Sequence, residues 1–299
     1  MACCEGTGGL ETMGKIGFGV EIECYGMSGN TMQECTVTAG AGEIESLTNW
    51  HGDSRVYRRE EGGGWKIQTD GSLHGQREGT WSQTGALELI SPVLYGIEDG
   101  EKEMTAVLKE LRKGGAWVDR NCGTHITIGI DRMARFNRMS GAKKQQVMLR
   151  IAEIYNHFQP CFDNLSPNCR RSEENPDCLG LIDMDDPSYD RYQFLNLSNF
   201  VMRGCVEFRQ PGFTLEAKKL KGWLRLGHAI IKVAMNEAHP SHGKALWDDE
   251  TPRDSLKAML DFLKPGVRTN RWAVERQNEL ITNYTHYRAK RQHGLRGWA

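Results

Sequence analysis

Six side chains of this chain combine residue types and spacings suited to holding a metal ion together with phosphate. Glu21 and Glu23 stand two apart in Gly17-Phe18-Gly19-Val20-Glu21-Ile22-Glu23, Glu88 opens Glu88-Leu89-Ile90, and His125 lies in Thr124-His125-Ile126-Thr127. Glu207 and Arg209 again stand two apart in Val206-Glu207-Phe208-Arg209. In each segment apolar residues occupy the alternate positions, so on a strand the polar ones share the opposite face. Carboxylates gathered on one sheet face repel one another unless something positive sits among them. Hard oxygen ligands with one imidazole suit Mg²⁺ or Mn²⁺ better than zinc. Arg209 adds a planar cation able to hold phosphate or carboxylate oxygens bidentately.

Each piece alone has a bland rival. Glutamates at alternate strand positions usually mark a solvated sheet face, a lone histidine is usually a hydrogen-bonded sheet residue, and Glu207 with Arg209 reads equally as an ion pair. Their co-occurrence on the non-apolar phase favours a site, since glutamate is depleted in strands. Gly17 and Gly19 leave room on that face for a ligand or another backbone to approach. Gly62-Gly63-Gly64 is weak evidence for a phosphate cradle. The sequence has no GxxxxGK[ST], no GxGxxG after a strand and no HExxH, which argues against a P-loop, a dinucleotide Rossmann site and a zincin.

The elements that must position these residues follow from periodicity. Alternation predicts strands over Lys15–Tyr25, Trp65–Thr69 running into the turn Asp70-Gly71-Ser72, Gly85–Ile90, Thr124–Asp131, Tyr192–Ser198 and Gly204–Gln210. Helical spacing predicts Glu103–Leu111, stopped by Gly114-Gly115, and Gly141–Phe158. Later helices are expected from an N-cap at Thr214 to Ala238, from Thr251-Pro252 to Leu263, and over Arg271–Lys290. Ala39–Gly64 reads as an insertion or mobile loop, and Pro160–Tyr189 as a long loop without a regular element. Strands first and helices last predict an α+β domain, an antiparallel sheet with helices packed on one face. Residues 1–14 are expected to be a disordered lead-in, and 15–299 one catalytic domain with a helical part over about 214–299.

The bulk composition is that of an ordinary globular chain: 299 residues, 38% hydrophobic, 26% charged, with no apolar run long enough for a bilayer. The N-terminus lacks the basic and apolar regions of a secretory signal, and nine cysteines are an odd number for a disulfide framework. Both point to a reducing, cytoplasmic setting. A net charge of -1 gives no global attraction to nucleic acid or membrane. The local basic cluster Arg288, Lys290, Arg291, His293 and Arg296 is best read as a solvated last helical turn.

Taken in order, Gly17 to Glu23, Trp65 with Asp70-Gly71-Ser72, Glu88-Leu89-Ile90-Ser91-Pro92, Gly123 to Ile128, Leu195-Asn196 and Val206 to Arg209 resemble the amidoligase family. That family is related to glutamine synthetase and glutamate-cysteine ligase through the carboxylate-amine ligase fold. The resemblance covers about Gly14 to Trp223. It implies a glutamine-synthetase-like fold and ATP-dependent amide formation through an acyl phosphate, with Mg²⁺ or Mn²⁺. Carried over by position, it implies that Glu21, Glu23 and Glu88 ligate metal. His125 and Glu207 would hold the metal nearest the nucleotide phosphates, Arg209 would stabilise the transferring phosphoryl group, and Lys66 would join the nucleotide-binding set. Asp70 and Asn196 would face the substrates. Many members carry a second histidine where this chain has Thr127.

The readings therefore compete. An ATP-dependent ligase for small-molecule or peptide carboxylates and amines stands first, a divalent-metal phosphohydrolase or nuclease second. A non-catalytic binding module is third, and retention of all six residues argues against it. Relatives are thought to act on peptides, cell-wall pieces, polyamines or modified nucleobases. With an amine on modified phage DNA as acceptor, the basic C-terminal cluster would supply phosphate contacts. Oligomers are expected in the wider fold.

Overall fold

Alternate burial builds the sheet from Gly17–Cys24 outwards. Phe18, Val20, Ile22 and Cys24 of this strand (β1) are buried in the core, while Gly19 and Glu21 on the other face are only partly so. The computed structural model describes residues 16–42, 47–48, 64–69, 87–131, 133–170, 178, 180, 184–188, 190–237 and 255–292. The expected lead-in at 1–14, the turn Asp70-Gly71-Ser72, the triple glycine up to Gly63, and Thr251-Pro252 fall outside them.

In chain order the elements are β1, helix α1 (Gly29–Thr38), β2 (Leu47–Thr48), β3 (Lys66–Thr69), β4 (Leu87–Ile90), β5 (Leu94–Tyr95) and α2 (Ile97–Lys113). Then come β6 (Thr124–Gly129), α3 (Ala134–Asn137), α4 (Gly141–His157), α5 (Gln159–Leu165), a 3-10 turn (Asn168–Arg170), β7 (Leu195–Asn196) and α6 (Phe200–Arg203). The chain closes with β8 (Cys205–Phe208), α7 (Ala217–Glu237), α8 (Leu256–Leu263) and α9 (Val267–Gln292).

Eight strands form one sheet in the order β2-β3-β4-β1-β6-β8-β7, with β5 also on β1. Every pair is antiparallel except β2 with β3. The helices cover the apolar face. Gly100 of α2 lies so close to Phe18 of β1, and Gly227 of α7 to Phe208 and Ile128, that a Cβ at either would collide with those side chains. α4 and α9 pack in turn against α7. The expected α+β architecture is what forms, an antiparallel sheet with helices on one side. Among the described residues no helix is long and apolar enough to cross a membrane, and their seven cysteines are all free.

Several expectations need correction. Ala39–Gly64, read as an insertion or loop, contains β2, held parallel to β3. Pro160–Tyr189, read as lacking regular structure, opens with α5 and the 3-10 turn. Pro160 stands in the first turn of α5, where its missing N–H costs nothing. Helix α1 has no counterpart in the sequence reading. Its N-cap Ser28 accepts a hydrogen bond from Thr31 N–H, but its threonines and weak apolar contrast hide the period. The strand expected over Tyr192–Ser198 shrinks to Leu195–Asn196. Thr214 accepts from Glu216 N–H ahead of α7, which begins at Ala217. α8 is capped by Ser255.

Candidate metal and phosphate site

The face of the sheet turned away from the helices collects the polar residues by register. Glu21 stands opposite His125 across β1 and β6, Glu23 opposite Glu88 across β1 and β4, and Gln68 opposite Glu88 across β3 and β4. On the other side Thr127 faces Glu207, and Asn196 faces Glu207 across β7 and β8. Residues far apart in sequence thus form one contiguous polar band at the centre of the sheet.

Within that band, ligand atoms of Glu21, Glu88 and His125 all lie within 4.8 Å of one another. His125 Nδ1 is 3.1 Å from Glu21 Oε2 and 3.4 Å from Glu207 Oε1, so the imidazole bridges the cluster to the next strand. Glu207 Oε1 also accepts from Arg209 Nη1 at 2.7 Å, and its Oε2 accepts from Asn196 Nδ2 at 2.7 Å. Both oxygens of Glu207 are therefore committed, and Arg209 is held in one place. Glu23 accepts from the backbone N–H of Gly123, and Glu88 from the side-chain amide of Gln68.

Glu23, Glu88 and His125 are buried, whereas the Glu21 side chain is 35% exposed, so the cluster opens to solvent on the Glu21 side. Taking carboxylates out of water is costly unless hydrogen bonds or positive charge compensate. Backbone and amide donors contribute to that compensation at Glu23 and Glu88. Glu21, Glu88 and His125 could hold a divalent cation, since two carboxylates with an imidazole are a donor set that Mg²⁺ or Mn²⁺ accepts.

Of the residues expected at the site, Glu21, Glu23, Glu88, His125, Asn196, Glu207 and Arg209 share this band. Lys66 is exposed, two positions from Gln68 on the same face of β3. Asp70 lies outside the described residues. Sequence reasoning passed over Gln68, which alternates with Lys66 and was legible as a site-face residue. It also passed over Arg170, which sat in a segment read as loop and gave no periodic signal.

The sheet face thus combines a cluster of carboxylates and an imidazole with an anchored guanidinium. The chain belongs to the amidoligase family: residues 15–181 match the family model described as "Putative amidoligase enzyme". The matched span includes Glu21, Glu23, Glu88 and His125 and ends short of Asn196, Glu207 and Arg209, so it is shorter than the expected resemblance to Trp223. No curated protein matches the chain. Among solved structures it is similar to one titled "Crystal structure of novel glutamine synthase homolog", with a TM-score of 0.44 and 14% identity over 90% of this chain and 67% of that one.

Proposed function

We propose that this chain is an ATP-dependent carboxylate-amine ligase that works with Mg²⁺ or Mn²⁺. The observation that carries this reading is the convergence of Glu21, Glu88 and His125 within 4.8 Å, from three different strands, in a member of the amidoligase family. Those three residues would hold the metal, which when bound neutralises phosphate charge. Glu23, tied to the Gly123 amide, shapes the negative field beside them and stands next in line as a ligand.

The chain's own residues do the rest. Glu207 fixes Arg209 so that its guanidinium is pre-aimed at phosphoryl oxygens, and no reorganisation is needed as charge moves during transfer. Asn196 locks Glu207 from the other side. Lys66, exposed on the same face, would meet the outer phosphates, and Asp70 would contact a substrate. Activation of a carboxylate as an acyl phosphate, followed by attack of an amine, is the route this reading implies. The acceptor is a small-molecule or peptide amine, or an amine on modified phage DNA, and the protein works in the cytoplasm, singly or as an oligomer.

Calorimetry with a non-hydrolysable ATP analogue tests it. Binding should require Mg²⁺ and weaken in Glu21→Gln and Glu207→Gln. A folded wild type that ignores the analogue with metal present would sink the nucleotide site and turn attention to a metal-dependent phosphohydrolase.

A further inference from the structure

Arg170 ends the 3-10 turn after α5 and is only 3% exposed. Among the described residues no carboxylate forms an ion pair with it, and its Nε has no hydrogen-bond partner. A guanidinium cannot discharge itself by losing a proton, so an unpaired buried one is costly. Its surroundings show where the compensation belongs. A Cβ at Gly123 would lie 2.7 Å from Arg170 Nη2, 2.9 Å from Glu23 Oε1 and 3.0 Å from His125 Nε2. The guanidinium therefore reaches the metal-ligand band beside Glu23 and His125.

Its position is rigidly set. Gly123 bridges to Gly212, and Pro167, at the start of the Arg170 turn, packs so tightly on Gly212 that a Cβ there would collide with the ring. The Arg170 N–H donates to Pro167 O at 2.9 Å. The buried Cys178 hydrogen-bonds with the guanidinium, and its thiol donates to Arg209 O. Arg170 and Arg209 are thus tied to one thiol while both face the glutamate band.

We propose that Arg170 receives an oxyanion of the ligand, a phosphoryl or carboxylate group held between its guanidinium and the Glu21–Glu88–His125 cluster. This rests on reading that cluster as the reaction centre. A planar fork whose Nε–H has no partner matches such an oxyanion bidentately.

The test follows thermal unfolding of the full chain in Mg²⁺, titrated separately with inorganic phosphate and with glutarate, for wild type, Arg170→Met and Arg170→Lys. Without an added oxyanion, Arg170→Met should melt at or above the wild-type temperature, because an uncompensated buried charge is gone. Phosphate should raise the wild-type melting temperature and not that of Arg170→Met. Loss of the charge-assisted contact predicts at least about a tenfold drop in affinity. If glutarate alone acts in this way, the group is a substrate carboxylate. Should Arg170→Met not fold, Arg170→Lys decides, since it keeps the charge, loses the fork and should still weaken the response. A wild type insensitive to both anions, or variants that respond like the wild type, overturns the assignment. The ATP analogue, run beside these, separates the two ideas. Analogue binding untouched by Arg170 substitution keeps the ligase reading and rejects Arg170, whereas an Arg170-dependent phosphate response without analogue binding does the reverse.

Discussion

His125 and Glu21 face each other across β1 and β6, with 3.1 Å between Nδ1 and Oε2, and the same nitrogen lies 3.4 Å from Glu207 Oε1. The imidazole is thus the link between the two halves of the acidic band. His125→Ala would remove one proposed ligand and the imidazole that stands between Glu21 and Glu207. Mn²⁺ affinity, followed by electron paramagnetic resonance, should fall by about tenfold or more. Unchanged binding would take His125 out of the ligand set.

Two glycines allow a contrast between site and scaffold. A Cβ at Gly123 would press on Arg170, Glu23 and His125 together, while one at Gly222 of α7 would lie 2.1 Å from the Trp272 ring of α9. Gly123→Ala should weaken Mn²⁺ binding. Gly222→Ala should cost stability, about 1–3 kcal/mol by overpacking, with metal affinity retained in the folded fraction. The same loss of Mn²⁺ affinity in both would mean that the site merely senses global stability.

The ion pair between α2 and α7 should matter more than surface pairs. Arg225 donates through Nε at 2.7 Å and Nη2 at 2.6 Å to Glu101, whose side chain is only 5% exposed. Arg225→Met leaves that carboxylate buried and unpaired, at a cost of roughly 3–5 kcal/mol in urea unfolding. The double variant with Glu101→Met should recover most of the loss. A single variant as stable as wild type would show that the pair is solvated.

His228 on α7 gives a pH signature. Burial, with Lys232 adding to it, lowers its pKa from 6.5 to about 4. The unfolded chain takes up the proton first, so this contribution is fully present above pH 6.5 and is lost as pH falls towards 4. The change is at most about 3 kcal/mol, reduced by the partial exposure of His228. His228→Gln should flatten the stability profile in that window, and an unaltered slope would assign it to other groups.

Much of the sheet was legible because alternation is a local property. Phe18, Val20 and Ile22 against Gly19, Glu21 and Glu23 announce a half-buried strand without any knowledge of its neighbours. Helices with strong apolar stripes, α2 and α4, were legible for the same reason, although α2 begins at Ile97 rather than Glu103. Helix α1, with little apolar contrast, and α5, begun by a proline, gave no such signal.

The sequence by itself determined the phase of each strand, and so which side chains share the face opposite the core: Glu21, Glu23, Glu88, His125, Glu207 and, by the same alternation, Gln68. Only the tertiary structure decided which of them meet, because register is set between strands by packing and hydrogen bonding. It set Glu21 beside His125 and Glu88 rather than beside Glu207. It also brought Arg170, a residue of no periodic element, to Gly123 through the packing of Pro167 on Gly212. Contacts between segments so distant along the chain leave no trace in local spacing.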